Sequence, residues 1–203
     1  MKRLPVLLCL LAPAMPAAAD DVVARYRDTA VLRSELGDDP GEVLRERILL
    51  PAVRDYLLAH RAQWQIQPEA LERAVLAYRR SRACLPYPMP ADSPETERFI
   101  AGALVGNALL QGWIHRRFGG GRLLFQQGGI EAFDANLALV EQLETERVFT
   151  IDDPRLRSAA YDYWTGDHGA ALLPASEAAT AFDPDKVFLR CDGDAPSTPP
   201  PAH

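Results

Sequence analysis

Apolar residues recur at helical spacing along most of this chain and alternate only in short stretches. Val22 to Tyr26, rich in β-branched residues and alternating, reads as a short strand, and Arg27-Asp28 as a turn. Ala30 to Leu36 reads as a strand end running into a helix start, and Gly37-Asp38-Asp39-Pro40-Gly41 as a breaker. Val43, Leu44, Arg47, Ile48 and Leu50 then mark one helix face. Pro51 must kink or restart that helix, because it lacks the N–H and its ring collides with the preceding turn. Val53, Tyr56, Leu57 and His60 continue the face. Pro68 and Glu69 suit a helix start, Ile66 can staple onto Leu71, and Leu71, Ala74, Val75 and Tyr78 carry a stripe to Arg82. The alternate prolines of Leu85 to Pro90 predict a stiff, extended connector.

Ser93-Pro94-Glu95 caps a long helix that stops at Gly119-Gly120-Gly121. Gly102 and Gly106, four apart, predict close approach of a neighbouring helix. Arg122 to Gln127 reads as a short strand or extended loop, Ile130 to Arg147 as an amphipathic helix, and Val148 to Ile151 as another strand. Asp153-Pro154 opens a further helix whose buried side is Leu156, Ala160, Tyr163 and Trp164. From Pro196 onward the composition is that of a disordered tail. The fold class expected is mainly α: a multi-helix exported protein with a few short β-strands. Its expected organisation is a signal peptide (1–19), an N-terminal strand-plus-helix module (20–84), a Pro-rich connector (85–92), a C-terminal helical region (93–191) and a tail (192–203).

The first nineteen residues change the picture of compartment. Lys2 and Arg3 precede an apolar run, Leu4 to Leu11, and Ala17-Ala18-Ala19 precedes Asp20. This is the pattern of a secretory signal cleaved after Ala19, and the run is shorter than the roughly 20 residues a membrane span needs. The protein is expected to be periplasmic or secreted. Cleavage leaves 184 residues and removes two bases and no acids, so net charge moves from -6 to -8. So acidic a chain is a poor nucleic-acid binder, and the uncharged stretch Phe99 to Ile114, interrupted by Asn107 and Gln111, reads as a buried helix rather than a membrane span. Cys9 leaves with the signal. Cys84 and Cys191 then form an even pair, for which an oxidising compartment favours a disulfide closing a loop of about a hundred residues.

Candidate chemistry is sparse. His168 lies in the loop-like Trp164-Thr165-Gly166-Asp167-His168-Gly169 and, with Trp164, is the first candidate for a binding site. His115 and Arg116 stand at the end of the long helix, where cations also complement the helix dipole. Gln126 and Gln127 could bind a polypeptide main chain. No metal-ligand spacing, nucleophile elbow or phosphate loop is present, so no metal, cofactor or catalytic residue is expected.

Residues 22–82 resemble the N-terminal module of SurA-type periplasmic chaperones and related parvulin-type prolyl isomerases. The likeness rests on Val22-Val23-Ala24-Arg25, a polar turn, Ala30-Val31-Leu32-Arg33-Ser34-Glu35-Leu36, then helices, then Ile66-Gln67-Pro68-Glu69-Ala70-Leu71. It covers about a third of the chain, and no parvulin catalytic domain follows, so isomerase activity is not implied. The resemblance implies a cradle for unfolded or extended polypeptides in the periplasm. Two alternatives stand beside this chaperone-like reading: an exported enzyme with a site around His168, and a structural subunit of an envelope complex using the Gly102/Gly106 face.

Overall fold

The first described element is a strand that lies between two others. In the computed structural model, which describes residues 20–85, 90–126 and 129–188, strand β1 (Val22–Tyr26) pairs antiparallel with β2 (Thr29–Leu32). Arg27 takes a left-handed φ of 51° to close their turn. The other edge of β1 pairs with β5 (Phe149–Ile151), Ala24 facing Ile151 and Tyr26 facing Phe149. The expected signal peptide, the centre of the Pro-rich connector, Gln127, Cys191 and the expected disordered tail lie outside the described residues.

Most of the described residues are helical, and helix starts follow local capping chemistry. Asp39 accepts from the Glu42 N–H at 2.9 Å to open α1 (Pro40–Leu44). A wider π turn (Arg45–Leu49) follows, then α2 (Leu50–Ala59). Pro51 explains the turn: it cannot donate to the Arg47 carbonyl, and the Leu50 N–H instead reaches back to Arg45. The expected restart at Pro51 thus takes the form of a widened turn rather than a break. Helix α3 (Pro68–Ala83) opens on Pro68. Helix α4 (Pro94–Arg117) is capped by Ser93, whose hydroxyl accepts from the Thr96 N–H at 3.1 Å. Three consecutive glycines at positive φ, 119 to 121, then reverse the chain.

A second sheet has β3 (Leu123–Gln126) at its centre, flanked by β4 (Gly129–Glu131) and the two-residue β6 (Leu172–Leu173). Here the expected helix start is corrected. Ile130 pairs with Phe125 as strand, and α5 begins only at Phe133, running to Thr145. The backbone groups of residues 129–131 are claimed by the hairpin before a helix can use them. Helix α6 (Pro154–Thr165) is capped by Asp153, and the short α7 (Ala178–Ala181) follows.

The largest apolar cluster joins the first sixty residues to the last third of the chain. Val23, Val31, Leu44, Ile48 and Leu49 pack with Phe133, Leu139, Leu143, Phe149, Ala160 and Trp164. A second cluster sets Trp113 and Ile114 against Leu123 and Phe182, and a third sets Ala74 and Val75 of α3 against Ala101 and Val105 of α4. Of the two spaced glycines, Gly102 meets α3: a Cβ there would lie 3.3 Å from Leu71 Cδ1. Gly106 has no atom within 4 Å of such a Cβ, so the close approach is made at one position only.

A closer helix approach is elsewhere. A Cβ on Gly41 of α1 would stand 2.5 Å from the Ala159 carbonyl oxygen of α6. The obstacle is backbone, which cannot rotate away. Alanine is normally the better helix former, yet Gly41→Ala should lower stability by about 1–3 kcal/mol through overpacking. Thermal melts of the two proteins check this; an unchanged or raised Tm would refute the contact.

Candidate functional site

Among the described residues, two places gather side chains that could bind something, and they differ in kind. The first is a polar cluster where β3 and β4 meet α6. Gln126 and Glu131 are diagonal cross-strand neighbours, since Leu124 faces Glu131 and Gln126 faces Gly129. The Glu131 carboxylate accepts from the Gln126 amide at 2.7 Å, the Tyr163 hydroxyl at 2.7 Å and the Trp164 indole N–H at 3.3 Å. The Gln126 amide also donates to the Tyr163 hydroxyl. His168 Nε2 lies 2.7 Å from the Tyr163 carbonyl, so Nε2 carries the proton and donates, and the imidazole stands edge-on to Phe133 at 5.0 Å. Arg45 lies 5.9 Å from the centre of the Tyr163 ring.

The structure therefore brings His168, Trp164 and Gln126 together around two residues the sequence did not single out, Glu131 and the Tyr163 hydroxyl. Neither had a readable signal. Glu131 sat inside a predicted helix, and Tyr163 was read only as part of a buried stripe. His115 and Arg116 are placed elsewhere, in the last turn of α4. The His115 ring lies 5.6 Å from Phe182 and its Nε2 is 3.4 Å from the Gly121 carbonyl; Arg116 is exposed.

What the polar cluster can do chemically is limited by its own satisfaction. A carboxylate with three donors is a latch between the hairpin and α6, and an imidazole donating to a backbone carbonyl is held rather than poised. Burial, followed by the Glu131 hydrogen bond, pushes the Tyr163 phenol well above its ordinary range. Tyr161 is raised in the same way, by burial and by donating to Glu144 at 2.9 Å, where Arg157 also binds. Among the described residues, no group of three His, Cys, Asp or Glu side chains could hold a metal ion, and no helix is long and apolar enough to cross a membrane.

The second place is a cleft of about 260 Å³ beside the Pro-rich connector. Tyr78, Ser81, Arg82 and Leu85 from α3 and its end, Leu104 from α4, and Val187 and Phe188 from the C-terminal segment line it. Its polar groups are turned on each other. The Tyr78 hydroxyl donates to Asp92 at 2.7 Å, Arg82 pairs with Asp92 and donates to the Pro90 carbonyl, and Ser81 donates to the Tyr78 carbonyl at 2.9 Å. Arg82 is thereby neutralised, and the other described lining side chains, Ser81 apart, offer aromatic and aliphatic surface. The other tyrosines of the N-terminal region do not join it. Tyr26 is buried and donates to Asp55 at 2.8 Å, while the Tyr56 ring packs tilted against His60 and Trp113.

No protein-family model matches the chain, and no curated protein or solved structure matches it significantly.

The two raised phenols set an alkaline limit on stability. A phenol whose folded pKa exceeds its unfolded value near ~10 contributes fully below that pH, and its contribution is lost as pH rises through the folded value. The Tm should therefore fall above about pH 10, and the fall should be shallower in Tyr161→Phe/Tyr163→Phe. Melts from pH 7 to 12 measure both curves; parallel curves would count against the latch.

Proposed function

We propose that this is an exported, periplasmic polypeptide-binding protein of chaperone-like kind, without prolyl isomerase activity. The observation that carries the reading is the cleft between α3 and α4: it is mainly apolar, Arg82 in its wall is paired with Asp92, and an apolar piece of polypeptide, Val187-Phe188, already lies in its wall. The resemblance of residues 22–82 to SurA-type modules and the expected signal peptide point the same way. The enzyme alternative draws less support, because the Glu131 carboxylate and Nε2 of His168 are engaged by fixed partners.

The test uses the mature chain, residues 20–203, and a urea-unfolded outer-membrane β-barrel protein. On dilution, light scattering should be delayed at near-stoichiometric chaperone, and cis–trans isomerisation of a proline peptide should not accelerate. Absence of both binding and delay would sink the proposal.

The same reading includes a Cys84–Cys191 bridge. Cys84 ends α3, and Phe188 lies edge-on to Tyr78 of that helix at 5.9 Å. A three-residue stretch can reach at most roughly 10 Å, against a rise of about 9 Å between positions 78 and 84 of a helix. Peptide mapping of the periplasmic protein without reductant should find the cross-linked pair. Cys84→Ser/Cys191→Ser should lose roughly 4–5 kcal/mol in the chain-entropy limit, read by denaturant melts; two free thiols in the native protein would exclude the bridge.

A further inference from the structure

Among the described residues that line the cleft, Val187 and Phe188 of the C-terminal segment are the ones that do not belong to α3, its end or α4. This segment leaves α7 through Phe182, buried against Gly112 of α4, and turns at Asp183, whose carbonyl accepts from the Lys186 N–H at 2.9 Å. Val187 and Phe188 then lie on the third apolar cluster, against α3 and α4. Among the described residues, neither makes a backbone hydrogen bond to its surroundings. Side-chain contact is what seats these two residues in the groove, and beside them the 260 Å³ cleft continues along Leu85 and Leu104. Among the described residues, the cleft extends beyond the part these two cover.

We propose that Val187 and Phe188 are an intramolecular stand-in for the client, and that an extended client segment bearing aromatic and aliphatic side chains displaces them from the α3–α4 groove. The proposal rests on the polypeptide-binding reading and adds its site, its ligand chemistry and its control. The chemistry follows from the wall: Arg82, Tyr78 and Ser81 already have polar partners, so a charged ligand gains none, whereas an aromatic ring gains the edge contact that Phe188 makes with Tyr78. The control follows from connectivity. The chain's own segment is always near the groove, so it competes with every client at a fixed effective concentration.

The experiment compares the full mature chain with Val187→Ser/Phe188→Ser. The probe is a fluorescein-labelled peptide with the sequence of residues 183–189, followed by fluorescence anisotropy, and each protein's melt verifies folding. The peptide should bind the double variant at least ten-fold more tightly than the wild type. Adding Leu104→Asp to the double variant should abolish that binding. The double variant should also delay aggregation of the unfolded β-barrel protein at lower concentration than the wild type. Equal peptide binding by wild type and a folded variant, or none by either, overturns the proposal while client holding by the wild type leaves the broader reading standing. If no form holds the client, both fall. Should the double variant lose its cooperative melt, Phe188→Ala replaces it, with the same ordering of affinities required.

Discussion

Strand β1 holds this structure together because both of its edges are used. Its pairing with β2 is local, closed by a two-residue turn, whereas its pairing with β5 joins residues more than a hundred positions apart. Once that second ladder forms, the first sixty residues and the last third of the chain must share one interior, and the burial of Val23, Ala24 and Phe149 shows that they do. The constraint propagates outward. The ladder brings α1 beside α6, and the approach is so close that Gly41 has no room for a side chain. It also fixes α5 and α6 under the N-terminal helices, which places Tyr163 where Glu131 can reach it. Non-local pairing of this kind is slow to form, since loop closure must precede the contacts that reward it.

What was legible in the sequence was what local chemistry decides. The strand at Val22–Tyr26, the Ser93 and Asp153 caps and the glycine stop after α4 depend on neighbours a few residues away, and each lies where the pattern predicts it. Strand partners were not legible, because a three-residue strand such as β5 carries no mark of its mate. Ile130 shows the conflict directly: its spacing fits the helix that follows, but hydrogen bonds to Phe125 draw it into the hairpin. At Pro51 the breaker was plain, while its outcome, a widened turn, depended on the Leu50 N–H finding Arg45.

The candidate site divides along the same line. A loop histidine beside a tryptophan is a reasonable signal for binding, and the fold does gather His168, Trp164 and Gln126. Yet the residue at the centre is Glu131, and a carboxylate surrounded by three donors stiffens the junction of hairpin and helix more than it invites a ligand. Polar residues whose partners all come from within the protein have little left to offer a substrate. The α3–α4 cleft is the reverse case: its polar atoms are quenched by Asp92, Pro90 and Tyr78, and what remains exposed is surface that water covers poorly.

That contrast bears on how a client could win a groove already holding part of its owner. Charge gives no advantage, because Arg82 in the wall is paired with Asp92 and the chain as a whole is acidic. Selection then rests on apolar contact, which is non-directional and grows with the area covered. Val187 and Phe188 cover part of the groove and leave the stretch along Leu85 and Leu104 open. A short or weakly apolar segment does no better than the resident pair and loses to its proximity. A longer segment with successive apolar side chains fills both the occupied and the open portions, so each added contact counts against a competitor that cannot lengthen. Unfolded chains have such stretches exposed and folded ones do not, so on the proposed reading self-occupancy by two residues would discriminate between them.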